Sequence, residues 1–354
     1  MNRDSRTSQA GLPASLGYRM PAEWERHDAV WLSWPCDPAT FPGRIEGVEE
    51  IYLSIIEALA GSERVNLLVR DGRMKERVEG LLGGAGIASD DVTFHLYDYG
   101  DVWFRDYGPI FLVNQNDERL AMVDWDFNAW GGKYENLLRD TAVPGFINRS
   151  MNIPSFTPAI VLEGGSIDVN GRGTLLTTEE CLLNRNRNPE LTKGDIEEAL
   201  RSYLGVSEII WLRRGIAGDD TDGHVDDIAR FVCPTTVLCA CEEDERDENY
   251  GALRENYEIL LGATDQDGNS IEVKKLPMPE RNGPPEQRLP ASYTNFYIGN
   301  ESVLVPTFDS VNDEEALEII GDSFPDRRVV GIDCRDLIYG FGAIHCITQQ
   351  QPAL

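Results

Sequence analysis

Lysine is scarce in this chain. Only 5 of its 32 basic residues are Lys, at 75, 133, 193, 274 and 275, and histidine occurs four times. No apolar run reaches the ~18–20 residues that a membrane-spanning helix needs, so a helical membrane protein is set aside. Neither Cys-x-x-Cys nor His-Glu-x-x-His is present, which leaves no pattern for zinc. Gly-x-Ser-x-Gly and the Walker A loop are missing too, and the run Gly84-Ala85-Gly86-Ile87-Ala88-Ser89 lacks the third glycine of a dinucleotide fingerprint. Serine hydrolase, nucleotide hydrolase and nicotinamide enzyme fall away with them. Positive charge itself is short: 61 acidic residues leave a net charge of −29. A surface of that sign repels phosphate backbones and anionic headgroups, which argues against nucleic-acid and membrane partners and favours a cationic substrate.

What the chain does have is core material, with 41% hydrophobic and 9% aromatic residues. That is ample for a packed interior. Its seven cysteines are odd in number and scattered, and no signal-like apolar segment opens the chain. This pattern points to reduced thiols and a cytoplasmic location. Residues 1–19, rich in Ser, Arg, Gly and Ala, read as a flexible tail, and 20–354 as a single domain.

Within that domain a unit repeats. Paired apolar runs joined by turn residues begin near 109, 165, 227 and 294. They are Pro109–Asn114 with Arg119–Phe127, Gly165–Asn170 with Gly173–Thr178, Asp227–Cys233 with Thr235–Cys241, and Thr294–Ile298 with Ser302–Phe308. Alternation and turn chemistry of this kind predict β-hairpins. After most of them come an amphipathic helix and a strand: Thr192–Leu204 before Glu208–Leu212, Asp247–Leu261 before Ile271–Leu276, Asn312–Phe324 before Arg328–Ile332. Thr192 and Asn312 stand where helix N-caps belong. Upstream, Ala29–Trp34, Val48–Ala60 and Val65–Val69 form a unit with half a hairpin, and Ile344–Gln350 supplies the missing strand. Five ββαβ units in an α/β ring, closed N-terminus to C-terminus, leave no exposed seam.

In such a ring, equivalent positions project to one end. The segments just before the hairpins read Trp103-Phe104-Arg105-Asp106, Leu162-Glu163-Gly164-Gly165, Asp222-Gly223-His224-Val225-Asp226 and Ile344-His345-Cys346-Ile347. They bring together carboxylates, an imidazole and a thiol. On the predicted strand 344–350, His345 faces away from Cys346. His27 and His95 sit in strand-like surroundings and read as structural, leaving His224 as the partner for a cysteine nucleophile. Taken singly, Cys346 reads as a buried thiol and the acids at 219–227 as a solvated loop or a cation site. A calcium loop aligned on Asp222-Gly223 puts Gly218 first and Ala229 twelfth, where acids are required.

At these residues the chain resembles the agmatine deiminases and the bacterial peptidyl-arginine deiminase-like proteins grouped with them. The resemblance runs through MPAEWERHDAVWLSWP at 20–35, DVWFRDYGPIFLVN at 101–114, LEGGSIDVNGRGTLLTTEECLLNRNRNP at 162–189, DDTDGHVDDIARFV at 219–232, ASYTNFYIGN at 291–300 and IHCITQQQP at 344–352. It implies the pentein fold, a five-bladed α/β propeller of pseudo-fivefold ββαβ repeats. It also implies that Cys346 is the nucleophile, His224 the general acid/base and Glu163 the carboxylate beside it, with Asp106 and Asp226 gripping a guanidinium. Trp103 and Arg105, in the segment of Asp106, are expected at the substrate as well. The activity implied is hydrolysis of agmatine to N-carbamoylputrescine and ammonia, with no cofactor and no metal, in a homodimer. Peptidyl-arginine or another guanidine is the alternative substrate, and an acidic polyamine-binding protein the non-enzymatic one. Two departures fall near the substrate tail: Gly340-Phe341-Gly342-Ala343 stands where the family has Gly-Gly-Gly-Asn, and the stretch after Gly131-Gly132-Lys133-Tyr134 is shorter.

Overall fold

The computed structural model describes residues 11–114 and 116–354. Five small sheets are arranged as the repeat predicts. The first contains β1 (His27–Ser33), β2 (Arg64–Val69) and β3 (Val92–Leu96). The second joins β4 (Ile110–Asn114), β5 (Arg119–Val123) and β6 (Ser155–Phe156); the third, β7 (Ile167–Val169), β8 (Thr174–Thr178) and β9 (Glu208–Leu212). The fourth comprises β10 (Ala229–Cys233), β11 (Thr236–Cys241) and β12 (Glu272–Pro277); the fifth, β13 (Tyr297–Ile298), β14 (Ser302–Thr307) and β15 (Arg328–Asp333). In the second to fifth sheets an antiparallel hairpin is followed by a parallel third strand. A parallel return requires a crossover, and helices supply it.

The first sheet closes the ring. β16 (Gln349–Pro352) pairs antiparallel with β1, placing Gln349 opposite Trp31 and Pro352 opposite His27. The Trp31 indole N–H donates to Gln351 Oε1 at 3.0 Å. The expected strand 344–350 is therefore half right. Residues Ile344–Ile347 form a single helical turn, and the strand starts at Gln349. Side chains hold that turn at both ends: Asn295 Oδ1 accepts from His345 N at 2.9 Å, while Thr348 Oγ1 donates to the carbonyl of Ile344 at 3.0 Å. Such partners satisfy backbone groups that a helix end otherwise leaves bare.

The crossover helices bury one face each. Ile45–Leu59 turns Val48, Ile51, Tyr52, Ile55, Ile56 and Leu59 inward, the three-and-four spacing of a core-facing stripe. Lys193–Leu204 starts with a reciprocal cap, in which Thr192 Oγ1 accepts from Asp195 N at 3.3 Å and Asp195 accepts from Thr192 N at 2.8 Å. Asn312 precedes Asp313–Ser323 as expected but makes no capping bond; its amide donates to the Met278 carbonyl at 2.8 Å. Residues 1–10 of the expected tail lie outside the described residues. From 11 to 19 the chain is part of the body: Arg19 bridges to Val113 and Tyr18 is buried. Hydrogen bonding and ring packing against Phe156 override the polar composition there.

The reciprocal cap yields a stability test. Thr192→Ala should lower unfolding free energy in urea by about 1 kcal/mol without altering turnover. A change too small to measure would show that the cap contributes nothing to the folded state.

Candidate active site

Five segments meet at one end of the ring. Four are the single turns Phe104–Tyr107, Gly164–Ser166, Val225–Asp227 and Ile344–Ile347, each leading into its blade. The fifth holds Asn295, just before β13. All of Asp106, Glu163, His224, Asp226, Asn295 and Cys346 are buried. Gly165 is their meeting point. A methyl group placed on its Cα would lie 2.6 Å from His224 Nδ1, 2.9 Å from Asp106 Oδ1 and 3.1 Å from Asp226 Oδ2. Only a residue without a side chain fits between these three groups.

Asp106 is held by both carboxylate oxygens, Glu163 and Asp226 by one each. Asp106 accepts from the Trp130 indole at 2.9 Å through Oδ2 and from Gly165 N at 3.1 Å through Oδ1. Glu163 Oε1 accepts from Arg187 Nε at 2.6 Å. Asp226 Oδ2 lies 2.7 Å from His345 Nδ1. The other oxygens of Glu163 and Asp226, and both ring nitrogens of His224, are buried with no hydrogen-bond partner. His224 Nδ1 is 3.7 Å from Asp106 and Nε2 is 4.0 Å from Glu163, beyond hydrogen-bond length. Buried polar atoms are rarely left unpaired, and a cluster of them marks where a ligand makes its bonds.

Cys346 Sγ accepts from Asn295 Nδ2 at 3.1 Å and sits 3.8 Å from Asp226 Oδ2. Burial, then Asp226, Asp227 and Asp106, push its thiol well above the ordinary range. Without a neighbouring cation the sulfur keeps its proton. Burial works against charge on His224, yet Asp106, Cys181 and Glu163 override it and hold the imidazolium well above its usual pKa. Burial, eased by His224 and reinforced by Asp226 and Glu163, raises Asp106 to about 6. For Asp226 burial is outweighed by His345, His224 and Arg230, and its carboxyl is lowered.

Above this floor opens a cavity of about 420 Å³, lined among others by Trp103, Asp106, Trp130, Tyr134, Phe341 and Cys346. Trp103, expected at the substrate, lines this cavity. Arg105 does not. Its guanidinium donates to Gln350 at 2.7 Å and approaches Glu23 at 3.4 Å, in a separate cavity behind the site, so the structure gives it a structural place instead. His345 is excluded as the base of Cys346, but for a reason other than strand alternation: both its nitrogens are engaged, by Asp226 and by Glu23 at 2.8 Å.

Several participants were not singled out from sequence. Asn295 falls within the expected hairpin run Thr294–Ile298; the strand starts only at Tyr297, which puts Asn295 in the segment just before it, as in the other blades. Glu23 binds His345 and Arg230 and also accepts from Ile298 N at 2.8 Å, a role far from the site in sequence. Trp130 reaches Asp106 through a left-handed backbone (φ 52°), as does Ala129 before it (φ 54°), a conformation that costs a non-glycine residue ~1–2 kcal/mol. Phe341 takes a left-handed conformation (φ 70°) and lines the cavity, so its ring adds bulk beside Cys346.

A five-bladed ring carrying a thiol, an imidazole and facing carboxylates on its axis has the architecture of a pentein enzyme. The family model of the Porphyromonas-type peptidyl-arginine deiminases matches residues 19–352. A Legionella pneumophila relative is 40% identical over 342 residues, covering 96% of each chain. The agmatine deiminase of Medicago truncatula is 37% identical across 97% of this chain and 98% of its own. The solved agmatine deiminase of Enterococcus faecalis superposes with a TM-score of 0.91 at 35% identity, covering 99% of this chain and 100% of that one. This chain belongs to the Porphyromonas-type peptidyl-arginine deiminase family, which it shares with these agmatine deiminases.

The steric case for Gly165 is directly testable. Gly165→Ala should reduce turnover by at least ~100-fold through displacement of the acid/base group, with an unchanged far-ultraviolet spectrum. Activity within a few-fold of wild type would mean that the three groups do not need their present spacing.

Proposed function

We propose that the chain is an agmatine deiminase, with Cys346 as its nucleophile. It is a hydrolase acting on C–N bonds of linear amidines. One juxtaposition carries the reading of the substrate: a thiol 3.8 Å from Asp226 at the floor of a cavity whose charged lining residues, Asp37, Asp101, Asp106 and Asp220, are all acidic. A guanidinium is a planar cation with forked N–H groups, which Asp106 and Asp226 can hold from two sides. Agmatine carries an ammonium at its far end, and acids near the mouth suit it. Free arginine adds an α-carboxylate, for which no Lys or Arg lines the cavity among the described residues. A peptidyl-arginine offers no ammonium to Asp37 and Asp220. The relatives named agmatine deiminases support the same choice.

The reaction follows from the charges. The bound guanidinium supplies the positive charge that lets Cys346 release its proton to solvent through the open cavity that it lines, and the thiolate attacks the central carbon. His224, charged in the free site, donates a proton to the departing ammonia as the tetrahedral adduct collapses, which leaves an amidino group on sulfur. Now neutral, the imidazole takes a proton from water, whose oxygen attacks the same carbon. Collapse breaks the C–S bond, releases N-carbamoylputrescine and restores Cys346. Glu163 faces His224 throughout and stabilises its charged form. A homodimer, a cytoplasmic location and chemistry without metal or cofactor belong to the same proposal.

The decisive assay measures ammonia and ureido product from agmatine, arginine and an arginine-containing peptide. Agmatine should give the highest kcat/KM, Cys346→Ser should give none, and His224→Ala should lose at least ~100-fold. Equal turnover by wild type and Cys346→Ser would remove the nucleophile; a preference for the peptide would move the substrate.

The same assay carries a pH signature. Asp106 is protonated below about 6 and ionised above it, so kcat/KM should rise with pH through that value. An acid limb unaffected by Asp106→Asn would assign it to another group.

A further inference from the structure

Beside His224 lies a second thiol that the proposed reaction does not use. Cys181 sits on the short helix Glu179–Leu182, whose N-cap Thr178 hydroxyl accepts from Cys181 N at 3.1 Å. Its sulfur, a carboxylate oxygen of Glu163 and a ring nitrogen of His224 all lie within 4.8 Å of one another, and all three residues are buried. Among the described residues no other set of three such groups comes so close. Two of the three have bare donor atoms: Glu163 Oε2 and the His224 nitrogens have no hydrogen-bond partner.

We infer that Glu163, Cys181 and His224 form a site for a soft divalent cation such as zinc, and that its occupancy switches the enzyme off. The donor set is right, since thiolate, imidazole and carboxylate are the ligands zinc takes. The spacing is wider than a bound ion needs and within reach of side-chain movement. Tetrahedral bonds of about 2.0–2.3 Å place ligand atoms roughly 3.3–3.8 Å apart, and His224 Nε2 is 4.0 Å from Glu163 Oε2. Cys181 Sγ lies within 4.8 Å of the other two, so the side chains draw together by at most about 1–1.5 Å to close the triangle, leaving a fourth position for water. Arg187 engages Glu163 through the other oxygen, Oε1, and is itself balanced by Asp222 at 2.7 Å, so it holds the carboxylate with Oε2 free.

Binding releases protons. The metal takes a thiolate and a neutral imidazole, so the Cys181 thiol and the His224 imidazolium must each lose one, and affinity rises with pH. Inhibition follows because a metal-bound imidazole is no longer an imidazolium: the N–H left on its other nitrogen is too weak an acid to protonate the leaving ammonia. This consequence rests on the role proposed for His224; the binding itself does not.

Cobalt(II) tests the binding without any turnover, because a thiolate ligand gives it a near-ultraviolet charge-transfer band. Reduced full-length protein, both wild type and Cys346→Ser, should bind one equivalent and show the band. Cys181→Ser should lose the band and weaken binding by at least ~100-fold, because changes beyond the ligands alone cost ~10–100-fold. Glu163→Gln should keep the band with weaker binding, and it decides the matter if Cys181→Ser does not fold. A band lost in Cys346→Ser, kept in Cys181→Ser or absent from folded wild type would overturn the site, as would undiminished affinity in Glu163→Gln. Zinc should separately inhibit wild-type agmatine turnover, reversibly with EDTA. Cobalt binding in a protein that turns over no guanidine would leave the site standing and remove the proposed activity instead.

Discussion

Burying several carboxylates within reach of one another is the constraint around which this protein is built. Asp106, Glu163, Asp226 and Asp227 are all at most 5% exposed, and they crowd around one imidazole. Removing such charges from water costs several kcal/mol each unless they are paired. The chain pairs them incompletely. Arg187, His345, Trp130 and Asn295 each hold one acid of the four, and the inner oxygens of Glu163 and Asp226 remain bare. Arg230 and Arg105 provide charge from behind, through Glu23. These buried arginines reach two or more acceptors with a rigid fork, which the point charge of lysine does not reproduce. They account for three residues of the Arg-rich composition; nothing in the structure explains the rest.

The incomplete pairing makes the substrate part of the electrostatic balance. A protein cation placed among Asp106, Asp226 and Cys346 would stabilise the fold and block the chemistry. With that place left to the ligand, its positive charge satisfies the carboxylates and activates the thiol at once. Folding energy forgone at the site is returned when a cation binds. Ring closure is the mechanical side of the same arrangement. β16 pairs with β1, so the turn just before it is fixed against Asn295 of the fifth blade and Asp226 of the fourth. Groups from five distant stretches of chain are thereby held within a few ångströms.

Much of this was legible because the unit repeats. Hairpin, helix and strand could be read from alternation and spacing, with Glu208–Leu212 matching to the residue and most others shifted by one to three. Equivalent offsets then pointed to 106, 163, 224, 226 and 346. What could not be read was tertiary in origin. Ile344–Ile347 looks like a strand because its residues suit one; it turns because Asn295, fifty residues from His345, accepts the His345 amide. Arg105 looks like a substrate contact by proximity to Asp106, but neighbours on one helical turn face different ways. Glu23 and Cys181 had no local signature, because their importance lies in what other blades bring against them.

The central claim is that Cys346 is protonated in the free site and becomes a thiolate only beside a bound cation. Its most direct measurement is the pH dependence of Cys346 alkylation, taken as the difference between wild type and Cys346→Ser, with and without a saturating amidinium that cannot be hydrolysed. The account predicts an apparent thiol pKa above the ordinary value of about 8.5 in the free protein, falling by at least ~1 unit when the cation binds. A thiol already ionised at neutral pH without ligand, or unmoved by the cation, would contradict it.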